Sequence, residues 1–507
     1  MGVWEKNEHV TPIPSDGYRP APAAQGVVVL TAALAAMVAC GYGVHAVATR
    51  ALTPADYGRF AVTLSVITWL KICISSVLVP GISKVVSEDA RRLRPAIRLA
   101  ARWYGGGALV IGILLLPATP LMARAFGDPA LTPLLALACL EAPLFAAFGM
   151  GRQLLSAVRH YAQAAASLWA YAVVRAAAAC GFILLGWGAL GALGGLAAGS
   201  LAGAIVGLTL LRRVGAALPV EEHPPMLRRA FSWTAMTIPS SVAMATLMSM
   251  DMWLVKGSLH DAAAVGIYGA AFAMSRLPDF LVQGLAGAVF GRVSGALSEG
   301  RPELARSVSR EAMRYLLVTF IPICALIAGS DRQVAALLFG QAYSSAGPIL
   351  TLLTCAVSLS GALKLFQTLL AAGDRPGARL TFVLALLPTG LALNLLLIAR
   401  YGAMGAAVAM LITMSLGALS GLYLVRRCLG VTAPLACVIR CAVAGTAVYA
   451  LGRAFPGLTG WLLPVKMAVL GLIYAVGLFL LRELTPEDLL GMWKTLGGIG
   501  GGRKRSG

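Results

Sequence analysis

Residues 188–213 read GALGALGGLAAGSLAGAIVGLTLLRR, and residues 402–427 read GAMGAAVAMLITMSLGALSGLYLVRR. Each stretch runs 24 residues without a charge and then closes on an arginine pair, Arg212-Arg213 or Arg426-Arg427. A helix needs roughly 20 apolar residues to cross the hydrocarbon core of a bilayer, so each is long enough to span one. The two are also copies. A shift of 214 residues lays Gly188-Ala189 on Gly402-Ala403, Gly191-Ala192 on Gly405-Ala406, Gly203 on Gly417 and Gly207 on Gly421. The same shift lays Gln153 on Gln367.

Working outward, a shift of 211 superposes Tyr57-Gly58 on Tyr268-Gly269, Leu70 on Leu281, Ser83 on Ser294, and Ser87-Glu88 on Ser298-Glu299. Spans one to six therefore recur as spans seven to twelve. Each unit holds an even number of spans, so both enter the membrane in the same direction, as parallel repeats. Small residues such as Gly191, Gly194, Gly195, Gly199, Gly203 and Gly207 allow the helices within a unit to approach closely.

Of the 507 residues 59% are hydrophobic and 12% charged, and the mean hydropathy of +0.81 lies far outside soluble usage. The apolar runs are continuous rather than alternating, which excludes a membrane β-barrel. The expected fold is an all-α polytopic membrane protein of about fourteen transmembrane helices. It divides into a disordered tail (1–25), an N-lobe of six spans (26–213), a cytoplasmic linker (214–232), a C-lobe of six spans (233–427), a C-terminal helix pair (428–481) and a cytoplasmic amphipathic, basic tail (482–507). The last begins with Thr485 capping a turn of Pro486, Glu487 and Asp488. The nine cysteines lie in or beside hydrophobic spans and are expected to pack as small apolar residues, not to form a disulfide framework.

The net charge of +20 is a topology signal, not a nucleic-acid patch. With the N-terminus inside, 28 of the 41 basic residues fall in inner segments and seven in outer ones, which places both termini in the cytoplasm of an inner membrane. The remaining six lie within spans: Lys71, Arg175, Arg276, Lys364, Arg440 and Lys466. Three carboxylates join them, namely Glu141, Asp251 and Asp279.

A charge at mid-span costs about 2.5–3.5 kcal/mol on the insertion scale and so tends to face a wet cavity or a partner. Lys71, Arg175 and Lys364 have no acid at helical spacing in their own spans, whereas Arg276 and Asp279 are three apart and share a helix face. Lys71, Arg175, Arg276 and Lys364 are the candidates for an anionic headgroup, because Lys and Arg donors suit phosphate and diphosphate. Glu141, Asp251 and Asp279 are candidates for carrying a coupling ion, H+ or Na+, or for partnering these cations. Arg440 and Lys466 lie near span ends, where their heads reach the interface. Pro278, between Arg276 and Asp279, marks a kink.

The five histidines are scattered without metal-ligand spacing, and no P-loop, GxSxG or HExxH is found. The sequence reads as a transporter without a cofactor, not an enzyme.

Residues Ala51 to Phe60, ALTPADYGRF, resemble the segment joining the first two helices of bacterial polysaccharide and oligosaccharide flippases. Asp251 followed by Val265 to Phe272 (VGIYGAAF), Arg276-Leu277-Pro278 and Ser294 is similar to their seventh and eighth helices. Phe339-Gly-Gln-Ala-Tyr343, Ala346-Gly-Pro348 and Leu352-Leu353 resemble their turn before helix ten. The resemblance implies membership of the multidrug, oligosaccharidyl-lipid and polysaccharide exporter superfamily. It implies alternating-access movement of undecaprenyl-diphosphate-linked glycans to the outer leaflet, with ion coupling, for surface polysaccharide assembly. A polymerase and glycosyltransferases are then the expected protein partners, and the final helix pair is expected to help form a groove for the lipid tail. The residue after Asp251, often basic in relatives, is Met252 here.

Two members of the superfamily are the alternatives. A lipid II flippase shares the fold, but the early-helix motif of that group is missing from this sequence. For a drug antiporter of organic cations, a cationic cavity has the wrong sign. A non-transporting scaffold, from a different class, has no need of intramembrane cations.

Overall fold

The computed structural model describes residues 23–75, 79–217, 238–259, 261–373, 376–456, 460 and 462–483. The amphipathic helix expected from Thr485, residues 1–22 of the tail and residues 218–232 of the linker lie outside the described residues.

The N-lobe contains α1 (Ala23–Ala51), α2 (Pro54–Ser75), α3 (Leu93–Ala125), α4 (Leu131–Ala157), α5 (Tyr161–Leu184) and α6 (Gly188–Ala217). A short helix, Val79–Glu88, precedes α3. In the C-lobe α7 covers Ile238–Ser258, and α8 is broken into Ala262–Ser275 and Leu277–Ser298. It continues with α9 (Pro302–Gly329) and α10 (Gly347–Ala372), and a further short helix, Asp331–Phe339, lies between them. A single helical run, Pro376–Leu429, then breaks at Gly402 into α11 (376–401) and α12 (403–429). The pair α13 (Leu435–Ala454) and α14 (Leu462–Leu480) follows, with α13 packed on α9.

Among the described residues, twelve helices are long and apolar enough to cross a membrane, against the fourteen expected. The difference arises at two breaks. The run Thr381–Leu429 counts once although its 49 residues are about twice what a bilayer needs, and α8 does not count because the interruption at Arg276 leaves one segment of 14 residues and one of 22 that carries Asp279 and Arg292. Pro278 sits at the start of the second half of α8, where its missing N–H leaves no hydrogen bond unmade.

The duplication is visible in the backbone. Gly188 and Gly402, matched by the shift of 214, have nearly the same left-handed φ, 59° and 58°, and each turns the chain from the fifth to the sixth helix of its repeat. Side chains with a Cβ are strained at that angle. Further arginines repeat the pattern: Arg94 Nε donates to the Gly215 carbonyl at the end of α6, and Arg306 Nε donates to the Leu429 carbonyl at the end of α12. Each satisfies a helix C-terminus whose carbonyls lack partners, with charge of the favourable sign.

Within the N-lobe the glycine face of α6 lies on α5. A Cβ at Gly199 would stand 2.5 Å from Arg175 Cβ, and one at Gly203 2.6 Å from the Phe148 ring. The outward surfaces are apolar, with Leu184, Leu396, Leu419, Leu435, Leu472 and Leu480 all exposed, as a lipid-facing shell requires. All nine cysteines are free, as the composition led us to expect.

Candidate functional site

The two lobes meet through α2 and the first half of α8, and the matched Tyr-Gly pairs form that contact. A Cβ on Gly58 would lie 3.0 Å from Gly266 N, and one on Gly269 would lie 2.6 Å from Ala61 Cβ, so the helices touch backbone to backbone. Tyr57 and Tyr268 are both fully buried, and each anchors its helix to the preceding one of its lobe. Tyr57 Oη is 2.9 Å from His45 Nδ1 of α1, and Tyr268 Oη donates to Asp251 Oδ2 of α7 at 2.5 Å. Tyr57 also packs edge-on against Tyr343 of the C-lobe.

Polar contacts reinforce this end. Arg50 donates to the Leu337 and Leu338 carbonyls, Trp253 Nε1 donates to Ser65 Oγ, and Trp69 Nε1 donates to Thr246 Oγ1. Trp69 and Trp253 meet edge to face. Asp128, in the loop between α3 and α4, accepts from Lys256 of the opposite lobe at 2.8 Å and from Arg59 at 2.9 Å. Burial opposes its ionisation, but the two cations outweigh that and hold the carboxyl below its usual range. Lys256 and Arg59 are two of the seven basic residues that the charge distribution assigns to outer segments. Their shared partner lies 69 or more positions away, where no local spacing could reveal it.

Deeper in the N-lobe lies a first charged cluster. Lys71 Nζ is 2.8 Å from Glu141 Oε1, which also accepts from Ser200 Oγ at 2.7 Å. Glu141 is only 1% exposed, and its other oxygen, Oε2, is buried with no hydrogen-bond partner. Lys71 sits 4.0 Å above the centre of the Phe145 ring, and Phe145 continues through Phe148 and Tyr171 to Arg175. Arg175 Nη1 approaches Tyr171 Oη at 3.4 Å, and its guanidinium lies beside Gly41 of α1. Lys71, without an acid at helical spacing, thus has one across the α2–α4 interface. The expectation that Glu141 could be a partner to a cation is met at this position.

The second cluster stands at the break in α8. Asp279 bridges two cations: Oδ2 is 3.4 Å from Arg276 Nη1, and Oδ1 accepts from Lys364 Nζ at 2.6 Å. Arg276 also donates to the Met248 carbonyl of α7 and lies over the Phe272 ring. The interrupted helix makes this possible, because Arg276 occupies the junction of the two segments and Asp279 the first turn of the second. Lys364 and Arg276 remain 30% and 24% exposed along their side chains, against 12% for Lys71.

The sequence-selected charges therefore fall into two groups, Lys71, Glu141 and Arg175 in one lobe and Arg276, Asp279 and Lys364 in the other. Asp251 belongs to neither. It is buried at the lobe contact on Tyr268, with Oδ1 lacking a partner. Lys466 does not reach outward to an interface as its position suggested. It is buried and donates to Gln333 Oε1 and to the Gly452 and Phe455 carbonyls, closing the end of α13. Arg440 is more exposed and pairs with Glu483 at 3.0 Å. Ser200, Phe145 and Tyr171 escaped the sequence reading, since a serine and two aromatics in apolar helices carry no local signal.

The profile of the family described as "Polysaccharide biosynthesis protein" matches residues 23–294. No curated protein sequence matches significantly. Among solved structures, the chain is similar to the lipid II flippase MurJ in an inward closed conformation, with TM-score 0.70 and 13% identity over 91% of this chain and 100% of that one. It is also similar to a multidrug resistance MATE family transporter of the MOP superfamily. The inward-facing form gives TM-score 0.68 and 15% identity over 81% of this chain and 98% of that one. The outward-facing form gives 0.56 and 15% over 81% and 96%. The profile spans more than half of the sequence, and the whole-chain likeness places the repeats on the same scaffold. The chain belongs to the polysaccharide biosynthesis protein family, and it is a multi-pass membrane protein with the fold of the multidrug, oligosaccharidyl-lipid and polysaccharide exporters.

Proposed function

We propose that this protein flips an undecaprenyl-diphosphate-linked oligosaccharide across the bacterial inner membrane, by alternating access, for surface polysaccharide assembly. The observation that carries the reading is the charge balance of the two clusters. Lys71 and Arg175 stand against Glu141, and Arg276 and Lys364 against Asp279, so each cluster holds one more cation than carboxylate. Both phosphates of a diphosphate diester are ionised at neutral pH, and one surplus cation per cluster suits such a headgroup held between them. The same surplus disfavours an organic cation.

The Tyr-Gly contact closes one end of the lobe pair. By the distribution of Lys and Arg this is the periplasmic end, which leaves both termini in the cytoplasm. The better match to the inward-facing than to the outward-facing exporter, 0.68 against 0.56, supports an inward-facing state. A lipid-linked cargo is supported by the extent of the MurJ likeness, 91% of this chain against 81% for the drug exporter, a difference about the size of the α13–α14 pair. Coupling to H+ or Na+ would run through buried carboxylate oxygens that lack a partner, Glu141 Oε2 and Asp251 Oδ1. Asp279 is committed to two cations and serves as their bridge. A polymerase and the glycosyltransferases that build the glycan are the proposed partners.

Deleting the gene and analysing lipid-linked glycans and surface polymer tests this. The expected result is loss of polymer with lipid-linked intermediates retained on the cytoplasmic face. Unchanged glycans accompanied by drug sensitivity would sink the proposal in favour of an antiporter.

A further inference from the structure

At the end of the N-lobe away from the lobe contact, the helix Val79–Glu88 leans on the last turns of α4. Between them lies a recess of about 400 Å³ lined by Ser83, Lys84, Ser87, Arg152, Gln153 and Ser156. Among the described residues no carboxylate lines it. Ser87 and Ser156 donate their hydroxyls to carbonyls of their own helices, those of Lys84 and Arg152. Ser83 Oγ, by contrast, is buried with no hydrogen-bond partner. The guanidinium of Arg152 makes no hydrogen bond or ion pair with any described residue. A partly buried guanidinium and a buried hydroxyl, both without acceptors, form a donor set that asks for an anion.

The internal repeat supplies a control. The same shifts that match Ser83 with Ser294, Ser87 with Ser298 and Gln153 with Gln367 carry Lys84 to Gly295, Arg152 to Phe366 and Ser156 to Leu370. In the C-lobe this corner is part of the apolar core, where Phe366 packs with Val293, Leu369 and Leu370. The scaffold therefore stands without cations here, and only one copy has them. A positive-inside signal needs charge at the surface, not an arginine drawn into the protein.

We propose that this recess binds a phosphate-bearing anion, either the headgroup phosphate of a membrane phospholipid or a soluble phosphate compound. Arg152 and Lys84 supply the charge, and Ser83 Oγ and the Gln153 amide supply further donors. The site is separate from both central clusters and does not depend on the cargo assigned to them.

The full chain in nanodiscs of pure phosphatidylcholine, titrated with inorganic pyrophosphate and followed by thermal melting, tests the soluble source. Native mass spectrometry after exchange into discs containing phosphatidylglycerol tests the lipid source. We expect the wild type to respond to at least one probe, and the doubly substituted Lys84→Gly, Arg152→Phe protein, which installs the C-lobe residues, to bind that probe at least tenfold more weakly. Arg152→Gln keeps hydrogen-bonding capacity without charge and carries the test should the double variant not fold. Binding that survives in Lys364→Ala but is lost on substitution of Arg152 belongs to the recess. Binding lost in Lys364→Ala and unaltered by Arg152 substitution belongs to the central cluster and overturns the proposal, as does a wild type that binds neither probe.

Discussion

The two lobes use the same pair of helices for their central charges, but with the polarity reversed. In the N-lobe the cation, Lys71, is on the repeat's second helix and the acid, Glu141, on its fourth. In the C-lobe the acid, Asp279, is on the second helix and the cation, Lys364, on the fourth. Neither pair occupies matched sequence positions, so the duplication conserved the helix interface and not the residues. The N-lobe pair is the more buried and carries its spare cation, Arg175, at a distance through an aromatic bridge. The C-lobe gathers both cations on a single carboxylate at a broken helix. One arrangement suits a rigid ion pair in the wall of the lobe, the other a more exposed pair of donors ready to exchange Asp279 for an incoming phosphate.

The comparison can be broken most severely in the C-lobe. Lys364→Ala and Arg276→Ala are each expected to abolish export of lipid-linked glycan while leaving the protein at normal abundance. Quantitative immunoblotting beside a surface-polymer assay checks both, and a parallel fall in abundance and export would assign these residues to folding. In the N-lobe the larger effect should be on stability. Glu141→Ala leaves Lys71 without its counter-charge in a buried setting, which costs on the order of 3–5 kcal/mol. The doubly substituted Lys71→Glu, Glu141→Lys protein restores opposite charges and should recover most of the lost thermal stability in purified material.

Smaller effects are expected away from the clusters. Asp128 is held below the usual carboxylate range in the closed contact, so its contribution is fully present above that range and disappears as pH falls through the depressed value. Acidification, or Asp128→Asn at neutral pH, should therefore loosen the Tyr57–Tyr268 end. Spin labels at Arg124 and Ser258, one on each lobe near that end, should report a broadened distance distribution. A distribution indifferent to both changes would remove Asp128 from the closure. Arg440→Ala should be mildest, with export reduced less than twofold in the same polymer assay, since Arg440 is the more exposed of two partners of Glu483 and Arg314 keeps that carboxylate paired.

Much of the fold was legible in the sequence because a bilayer admits few solutions and because a repeat announces itself. Gly188 and Gly402 are matched positions in the repeat, and both hold a positive φ at the turn between helices. The Tyr57-Gly58 and Tyr268-Gly269 pairs, copies of one another in the sequence, form the lobe contact, where glycine permits close helix approach. The site was less legible. Intramembrane charge singled out Lys71, Arg276 and Lys364 as headgroup candidates, but not which carboxylate each lysine meets: Glu141 lies 70 residues from Lys71, and Asp279 lies 85 from Lys364. No helical periodicity links residues on different helices, and Arg152 looked like one more basic residue at an inner span end.

The central claim is best tested with purified protein in liposomes containing a fluorescent undecaprenyl-diphosphate oligosaccharide, by adding a membrane-impermeant quencher and measuring the fraction quenched. The wild type should expose nearly all of the lipid to the quencher, whereas Arg276→Ala and Lys364→Ala vesicles should stop near the half already in the outer leaflet. Flipping by both variants at the wild-type rate, or none by the wild type, would contradict a headgroup carried between the two charged clusters.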